Sequence, residues 1–495
     1  MTAASFDPRT GSSKPAPPDS TVTEIDAALA AARTAAAAVA SSPPGERQQW
    51  LTAIADALRD EQDRLVTVAD AETALGNVRL NGELERAAAA LRFYGTVAAE
   101  GSWLDATIDH ATDARPDLRR TNVPLGPVAI FGASNFPFGF GVLGHDTGSA
   151  IAAGCPVVVK AHPAHPRLSA ELGAVAAAAL ERAGAPAGTF ALVHGYDAGV
   201  ALVTHPDTRA VAFTGSQAGG MALWRAAAGR ERAIPVYAEM GTVNAVVVTP
   251  AAGHQRAAEI AAGFVTSFTL GMGQFCTKPG LLLAPRGADL PRLVADALTS
   301  AAPGGWLLTD GIATSYAEGV DGLTAAGATV LSRTDAATAG WAATPTVLTA
   351  PPALLTGGSP LLEECFGPVA LVVEYDSQAE LDRLLDALPG ALAGAVHCGR
   401  DDDDVAYLVD RLSGSVGRVV VNDWPTGVAV TWAQHHGGPW PATSDPSASS
   451  VGAAALRRFV RPVAYQAVPD NALPPAVQEA NPWRLSRRVD GTLQT

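Results

Sequence analysis

The chain has 495 residues, which is too long for one compact core and suggests about three domains. Nearly half of the residues are apolar, and the formal net charge of -15 argues against nucleic acid as a partner. The sequence has neither a long apolar run nor a basic, apolar start, and its four cysteines are scattered without metal-ligand spacing. We therefore expect a reduced, cytoplasmic protein with no membrane span, signal peptide or metal site.

The first predicted elements are helices that follow a tail. Residues 1–22 are rich in Pro, Ser and Thr, and we expect them to form a flexible tail. Apolar residues then recur at helical spacing between Ile25 and Glu100, and Ser42-Pro43-Pro44 separates two of the helices. Residues 101–122 are polar and charged, which indicates an exposed ribbon or connection.

A different pattern begins at Gly126. Short apolar runs alternate with alanine-rich segments, as is typical of βα units on a buried parallel sheet. Helices are predicted at 141–153, 168–183, 198–204 and 219–228. Since doubly wound sheets bind ligands beyond the carboxyl ends of their strands, the residues that follow each run are candidates for a site. The runs are PVAIF (127–131), PVVVK (156–160), FALVH (190–194), AVAF (210–213) and PVYAE (235–239).

A second region of similar make-up follows PVYAE and predicts another α/β domain. It contains a helix over 255–270 and the runs NAVVVTP (244–250), LLLAP (281–285), VALVVEY (369–375), GALAGAVHC (390–398) and GRVVVN (417–422). The segment beyond Gln466 is polar. It is either a frayed end or a strand that docks on a neighbouring subunit, which would explain Trp483 and Leu485.

Three residues carry groups suited to catalysis. Asn135 lies in a turn before a helix, where its amide either stabilises an oxyanion or caps the turn. Glu239 ends an apolar strand and is either a base whose pKa burial raises or an ordinary strand-end acid. Cys276 lies among glycines in GMGQFCTKPG (271–280), as a presented thiol or as a small residue in a tight turn.

Other positions suit a nucleotide. Lys160 ends a strand where a ribose or phosphate lies in a doubly wound fold, and FTGSQAGG (213–220) places Gly215 and Ser216 at a helix start. The second motif is weak because it lacks the full GxGxxG. Lys278, one of only three lysines, follows Cys276 by two residues, and its charge either lowers the thiol pKa or faces solvent.

Together these segments resemble the aldehyde dehydrogenase superfamily over the length of the chain. The motifs that carry the resemblance are SNFP, FTGS, E-M-G, GQFCT and EECFGPV (363–369). Within the superfamily, the stretch from GASNFPFGFG to KAHPAHP, YAEMGTVN and HHGGPWPATSD are most similar to 2-oxoglutarate semialdehyde (2,5-dioxovalerate) dehydrogenases, which neighbour the NADP-using fatty aldehyde dehydrogenases.

The resemblance implies a fold and an assembly. It implies a doubly wound parallel-sheet cofactor domain (23–238, interrupted by an arm segment at 101–122) and an α/β catalytic domain (239–445). The chain would return to the cofactor domain at 446–465 and end in an oligomerisation arm at 466–495, within a homodimer or homotetramer.

The resemblance also implies a mechanism. The Cys276 thiolate attacks the aldehyde, and the Asn135 amide and the Cys276 N–H hold the oxyanion. The nicotinamide takes up the hydride, and Glu239 activates the water that hydrolyses the thioester. Glu364 and Phe366 of EECFGPV would bind the nicotinamide ribose side, and Lys160, Gly215 and Ser216 the adenosine side.

Four positions depart from the wider pattern. Pro163 replaces the glutamate by which many NAD-preferring members chelate the adenosine ribose, which favours NADP over NAD. Tyr196 lies where the NADP-using relatives often carry arginine, so selection would be weak. Asp146 replaces a common lysine, and Thr242 replaces glycine or serine near Glu239.

The substrate is predicted less sharply than the reaction. Phe138 and Trp432 line the entrance for a keto acid or for a long apolar aldehyde, or they pack in the core. The alternatives are a fatty aldehyde dehydrogenase, a CoA-acylating dehydrogenase, against which the presence of Glu239 counts, and a non-catalytic relative.

Overall fold

The N-terminal segment is a hairpin rather than the expected flexible tail. The computed structural model describes residues 4–335, 339–400 and 405–494, so residues 1–3 and 495 of the two predicted terminal segments lie outside the described residues. Strand β1 (Ala4–Phe6) pairs with β2 (Ser13–Pro15), and the buried Ser5 hydroxyl donates to Glu72 at 2.5 Å. The composition of the segment suggested disorder because its stabilising partners lie far away in sequence.

Four helices confirm the helical pattern predicted over 25–100. Thr21 and Glu24 accept from each other's backbone N–H groups, so the first helix begins with a capping box. The last helix ends at Gly101, where φ is 80° and a Cβ would lie 2.4 Å from the Leu485 side chain. The helices are α1 (Val22–Ser41), α2 (Pro44–Asp60), α3 (Gln62–Thr73) and α4 (Asn77–Glu100), and β3 (Thr107–Asp109) and β4 (Leu118–Pro124) follow them.

The next elements form the predicted doubly wound sheet. It is parallel, in the order β7-β6-β5-β8-β9. Its strands are β5 (Val128–Phe131), β6 (Val157–Lys160), β7 (Phe190–Val193), β8 (Ala210–Gly215) and β9 (Val236–Met240). Its helices are α5 (His145–Ala152), α6 (Pro166–Arg182), α7 (Asp197–Thr204) and α8 (Gln217–Ala228).

The second α/β region is built on a seven-stranded sheet in the order β12-β13-β14-β11-β10-β15-β16, in which only β12 is antiparallel to its neighbour among the described strands. The strands are β10 (Asn244–Val248), β11 (Pro279–Pro285), β12 (Thr329–Arg333), β13 (Thr346–Thr349), β14 (Val369–Tyr375), β15 (Gly394–His397) and β16 (Val419–Val421). The helices are α9 (Pro250–Thr269), α10 (Leu290–Ala301), α11 (Asp310–Ala325), α12 (Gln378–Ala387) and α13 (Val405–Ser413).

The C-terminal strands pair with the 101–122 segment of the same chain. Strand β17 (Val460–Gln466) is antiparallel to β4, β18 (Arg487–Val489) is parallel to β3, and β19 (Thr492–Gln494) completes the sheet. Leu485 is buried and Trp483 packs against the core of the cofactor half. Contacts within the chain therefore bury Leu485 and partly bury Trp483. Within the described residues, no helix is both long and apolar enough to cross a membrane.

A buried ion pair joins α5 to the segment before β17. Asp146 lies 2.8 Å from the Arg458 guanidinium, and both side chains are almost fully buried. The aspartate that replaces the common lysine thus has a positive partner of its own. A buried charge is costly unless it is paired, so each residue requires the other.

We predict that Asp146→Asn lowers the free energy of unfolding by about 3 to 5 kcal/mol, because it leaves the Arg458 charge buried without a counter-charge. Urea-induced unfolding measures the loss. The control is Asp296→Asn, which removes an exposed partner of Arg292 and should cost at most about 1 kcal/mol. Equal losses in the two variants would contradict the prediction.

Candidate active site

Cys276 lies in a sharply bent loop between α9 and β11. Gly271, Met272 and Gly273 have positive φ values of 56°, 56° and 66°. A Cβ on Gly273 would lie 2.2 Å from the Gly367 carbonyl oxygen, so only glycine lets the loop pack against the segment 363–369. The thiol is partly exposed and borders a cavity between the two large sheets.

Two asparagine side chains hold this loop. The Asn135 amide donates to the Gln274 carbonyl at 2.8 Å, which brings Asn135 beside the thiol loop. The Asn244 amide donates to the carbonyls of Cys276 and Lys278, at 2.9 and 3.0 Å. The Asn244 side-chain oxygen accepts from Ala393 N–H at 3.0 Å, so the loop is tied to two strands of the seven-stranded sheet.

Lys278 neither faces solvent nor points its ammonium at the thiol. It is buried, and Nζ donates to the carbonyls of Cys365, Gly367 and Val369 at 2.7, 2.9 and 3.0 Å. Both alternatives drawn from the sequence are therefore wrong. The lysine joins the thiol loop to EECFGPV, and three carbonyl acceptors satisfy its three N–H donors.

A carboxylate, an imidazole and the thiol converge at one point of the cavity. The Glu239 Oε1 atom lies 3.0 Å from His436 Nε2, which lies 3.6 Å from Cys276 Sγ. The Ser450 hydroxyl donates a short hydrogen bond to the other Glu239 oxygen. Backbone pairing of Glu239 with Thr443 brings this late segment to the edge of β9.

The pKa values in this cluster differ from the expectation. Burial raises the pKa of Glu239, but the adjacent His436 and the Ser450 hydroxyl outweigh it, so the net shift is downward. The expected rise in the pKa of Glu239 is therefore wrong. The local sequence around a strand end does not reveal side-chain partners that are distant in the sequence. Burial raises the pKa of the Cys276 thiol well above its usual range, and the charges of Glu239 and Glu364 add to the rise. The resting thiol is therefore protonated at neutral pH.

Most of the predicted site residues line one cavity of about 1240 Å³. Asn135, Gly215, Ser216, Glu239, Cys276, Glu364 and Phe366 all line it. The cavity also reaches the N-terminal hairpin at Phe6 and the second half at Trp341.

The cavity fits a dinucleotide. Ser216 caps α8 by accepting from Gly219 N–H at 3.2 Å, and Gly215 and Ser216 at this helix start line the cavity. Burial raises the pKa of Glu364 to about 7, opposed by Lys278. Its carboxyl packs so closely on Gly241 that a Cβ there would lie 1.9 Å from an oxygen. A helix start and a carboxyl group are thus available to phosphate and to ribose hydroxyls.

Lys160 lies at the edge of this arrangement. His162, Pro163 and Ala164 line the cavity beyond β6, and Lys160, the last residue of β6, is not among the described lining residues. Burial lowers the pKa of Lys160, and the nearby Asp19 carboxylate opposes that shift. The Lys160 ammonium therefore interacts with the Asp19 carboxylate.

The two residues predicted to line the entrance lie in different environments. Phe138 is fully buried in the hydrophobic core, so its assignment to the entrance is wrong and core packing is the correct interpretation. Trp432 is half exposed and its ring centroid lies 5.8 Å from that of Phe93. The rings nearest the thiol loop belong instead to Phe136 and Phe275, which are 4.9 Å apart.

Arg79 of α4 connects these rings to Asn135. Its guanidinium lies 5.0 Å from the ring centroids of both Phe136 and Phe275, and Nη2 donates to the Asn135 carbonyl at 2.6 Å. The second terminal nitrogen, Nη1, is buried without a hydrogen-bond partner among the described residues. Analysis of the sequence missed Arg79, Asn244 and His436. Two of them lay in quoted motifs, Asn244 at the end of YAEMGTVN and His436 in HHGGPWPATSD, while Arg79 had no such signal.

A doubly wound sheet beside a cavity lined by a thiol, a carboxylate and an amide has the parts of an α/β enzyme with a cysteine nucleophile, and the family match identifies the class as oxidoreductases that act on aldehydes. Residues 1–440 match the pattern of the aldehyde dehydrogenase family. The chain belongs to this family, and as a member it uses a nicotinamide cofactor.

Two relatives and one solved structure are similar over nearly the whole chain. Alpha-ketoglutaric semialdehyde dehydrogenase 2 of Azospirillum brasilense is 44% identical over 510 residues, which cover 99% of this chain and 96% of that protein. Alpha-ketoglutaric semialdehyde dehydrogenase of Acinetobacter baylyi is 39% identical over 485 residues, 96% and 92% of the two chains. The structure of 3,6-anhydro-L-galactose dehydrogenase shares the fold, with a TM-score of 0.80 over 94% and 96% of the chains at 24% identity.

We predict that Lys278→Met weakens cofactor binding and lowers the thermal unfolding temperature, because each carbonyl left unsatisfied costs about 1 to 3 kcal/mol. The pH dependence of Cys276 alkylation by iodoacetamide should not change. Lys14→Met, at an exposed lysine, is the control. A shifted alkylation profile in Lys278→Met alone would show that the ammonium acts on the thiol after all.

Proposed function

We propose that the protein oxidises 2-oxoglutarate semialdehyde to 2-oxoglutarate. This proposal rests on the relatives from Azospirillum brasilense and Acinetobacter baylyi. Both bear the name alpha-ketoglutaric semialdehyde dehydrogenase and match over almost their full lengths. Cys276 is the nucleophile, which forms a thiohemiacetal and then a thioester. The nicotinamide, when bound, accepts the hydride.

The remaining roles follow from the contacts of each side chain. Asn135 uses one amide N–H on the Gln274 carbonyl, and its second N–H and the Cys276 backbone N–H hold the oxyanion. Glu239 is a carboxylate at neutral pH and accepts a proton from the water that attacks the thioester. Ser216 and Gly215 hold the pyrophosphate, and Glu364 and Phe366 hold the nicotinamide ribose.

The kinetic test compares aldehydes and variants. We expect the highest kcat/KM for 2-oxoglutarate semialdehyde, followed by succinic semialdehyde and medium-chain aldehydes. Cys276→Ala should abolish oxidation and retain cofactor binding, while Glu239→Gln should release one equivalent of reduced cofactor per site and then stall. Preference for a medium-chain aldehyde would favour the fatty aldehyde alternative, and dependence on CoA would favour the acylating one.

We propose that the Arg79 guanidinium binds the carboxylate of the substrate. The guanidinium lies 5.0 Å from the rings of Phe136 and Phe275, which neighbour Asn135 and Cys276 in sequence, and its Nη1 lacks a hydrogen-bond partner in the described chain. A guanidinium pairs well with a carboxylate, and contact with aromatic rings stabilises the cation. A cation beside the thiol loop therefore supports an anionic semialdehyde as substrate over an alkyl aldehyde.

We predict that Arg79→Gln lowers kcat/KM for 2-oxoglutarate semialdehyde about 10- to 100-fold more than for an uncharged aldehyde of similar length. The ratio of the two values is the measurement, since the lost hydrogen bond to Asn135 slows both reactions alike. Arg92→Gln, on the same helix but paired with Asp56 at the surface, is the control. Equal losses for both aldehydes would exclude Arg79 from carboxylate binding.

For the cofactor we propose NADP over NAD with weak selection. Pro163 lines the cavity where a carboxylate would repel a 2′-phosphate, which supports NADP. Selection is weak because Lys160 lies close to Asp19 and Tyr196 supplies no charge.

We predict that Asp19→Asn raises the ratio of kcat/KM for NADP to that for NAD by about two- to fivefold, the size of an exposed charge interaction. Steady-state kinetics with both cofactors measures the ratio. Asp26→Asn, further along the same segment, is the control. A clear NAD preference in the wild type would overturn the proposed cofactor, and an unchanged ratio in Asp19→Asn would exclude Asp19 from the phosphate region.

A further inference from the structure

Three side chains at the thiol present metal-binding atoms to a common point. His436 Nε2 lies 3.6 Å from Cys276 Sγ and 3.0 Å from Glu239 Oε1, and the ligand atoms of the three residues all lie within 4.8 Å of one another. Within the described part of the chain, no other group of three His, Cys, Asp or Glu side chains is so closely placed. The group was not predicted from the sequence, because its members lie far apart along the chain.

The spacing of the three atoms fits a tetrahedral zinc ion. Zinc binds cysteine sulfur at about 2.3 Å and histidine nitrogen or carboxylate oxygen at about 2.0 to 2.2 Å. At a tetrahedral angle, these bond lengths separate sulfur from nitrogen by about 3.5 Å and nitrogen from oxygen by about 3.4 Å. The observed separations of 3.6 and 3.0 Å therefore require only small rotations of the side chains. Because Glu239 and Cys276 line the cavity, a water molecule can take the fourth position.

The three side chains also suit zinc chemically. A thiolate and a carboxylate together balance the two positive charges of Zn²⁺, and a neutral imidazole adds none, so the ion can be buried without excess charge. Sulfur and imidazole nitrogen are ligands that zinc accepts readily, whereas Mg²⁺ and Ca²⁺ take oxygen ligands. The mixed set of ligands therefore favours zinc over the common alkaline-earth ions.

Hydrogen bonds from one short segment hold the ligands in place. The Ser450 hydroxyl donates to the Glu239 oxygen that does not face His436. The His436 backbone N–H donates to Ser449 Oγ at 2.9 Å, and the His436 carbonyl accepts from Ser450 N–H at 2.8 Å. Outer contacts of this kind orient metal ligands before the ion arrives.

We propose that Cys276, His436 and Glu239 form an inhibitory zinc site in the resting enzyme. The inference goes beyond the proposed function, because the ion binds without aldehyde or cofactor. Zn²⁺ replaces the thiol proton, which passes to solvent, and the sulfur forms a bond to the ion. The ion also takes the place of the proton between Nε2 and the carboxylate, and the ring proton of His436 then lies on Nδ1.

Zinc at this position blocks the reaction at two atoms. The sulfur electron pair that attacks the aldehyde carbon is engaged in the bond to the metal. The Glu239 oxygen that accepts a proton from water is engaged as well. The zinc-bound enzyme is therefore inactive, and a chelator that removes the ion restores the free thiol.

The test measures binding by equilibrium dialysis of the EDTA-treated full chain against Zn²⁺, without substrate or cofactor. We expect one zinc ion per chain and no competition by Mg²⁺. Cys276→Ser, His436→Gln and Glu239→Gln should each weaken zinc binding at least about 10- to 100-fold, because each removes a ligand. Co²⁺ in place of zinc should show the charge-transfer absorption of a thiolate–cobalt bond, and Cys276→Ser should remove it.

Two controls and an activity assay accompany the binding data. His435→Gln removes the neighbouring imidazole and Cys365→Ser removes another partly exposed thiol, so both should bind zinc like the wild type. Zn²⁺ should inhibit aldehyde oxidation by the wild type, and EDTA should restore the rate.

The outcomes separate this inference from the proposed function. Absence of zinc binding in the wild type, wild-type affinity in the three ligand variants, or lost affinity in a control would overturn the site. Should a ligand variant not fold, Cys276 is alkylated with iodoacetamide in folded Cys365→Ser, and unchanged zinc binding then contradicts the proposal. A wild type that binds zinc through these ligands but oxidises no aldehyde would overturn the proposed function and leave the metal site intact.

Discussion

The hydrogen bonds of Asn244 are the constraint on which the site depends. The Asn244 amide at the start of β10 donates to the carbonyls on either side of Thr277 and accepts from Ala393 N–H, just before β15. The seven-stranded sheet therefore fixes the position of the thiol loop. Preorganisation of this kind matters because a reacting group displaced by about 1 Å loses much of its rate advantage. The left-handed turn at Gly271–Gly273 makes the close approach to Gly367 possible.

The second requirement is that buried charges be paired. Glu239 lies in a region that would raise its pKa, and it remains ionised because His436 and Ser450 contact both of its oxygens. Asp146 is neutralised by Arg458 from the segment before β17. Both partners come from the last part of the chain, after the seven-stranded sheet is complete. The cofactor half of the chain therefore carries two acidic groups, Glu239 and Asp146, whose partners come from a distant and later part of the chain.

How much could be predicted from the sequence depended on how far along the chain each residue lies from the residues that it contacts. The strands, and the cavity residues that directly follow them, were predicted because local apolar runs fix where a parallel sheet ends. Glu239 and Asn135 line the cavity for that reason, because they lie at the end of β9 and just after β5, whereas Cys276 reaches it from the loop before β11. His436 was missed because it lies 160 residues from Cys276 in a segment without helix or strand periodicity. The pKa direction of Glu239 failed for the same reason, since its partners are not local.

The predictions for the aromatic residues and the termini failed for the same reason, because the residues they contact are distant in the sequence. The pattern around Phe138 is compatible with an entrance or with a core, and only the packing of α4 against this turn decides for the core. Pro and Ser near the N-terminus suggested a flexible tail, yet the hairpin gains its order from Glu72 and Trp341, which no local pattern reveals. Composition indicates how a segment behaves by itself, whereas the described parts of both terminal segments pair with, or pack against, other elements of the chain.

Contacts on both sides of the cavity fix how the two sheets face each other. On one side, residues 442–444 continue the edge of β9, with Met240 N–H donating to the Ala442 carbonyl at 2.8 Å. On the other side, the N-terminal hairpin reaches both halves. Arg9 pairs with Asp70 at 2.8 Å and lies 5.6 Å from the Trp306 ring centroid, while Trp341 N–H donates to the Pro8 carbonyl at 2.9 Å.

The two bridges act on different parts of the cavity. The 442–444 bridge belongs to the segment that holds His436 and Ser450, so it sets the distance between the carboxylate and the thiol. The hairpin borders the same cavity at Phe6 and Gly11, and Trp341 lies beside it. Glu239 and His436 are held by contacts with Ser450 and Ser449, whereas the hairpin is held by Glu72, Asp70 and Trp341. The two bridges are therefore built from separate contacts.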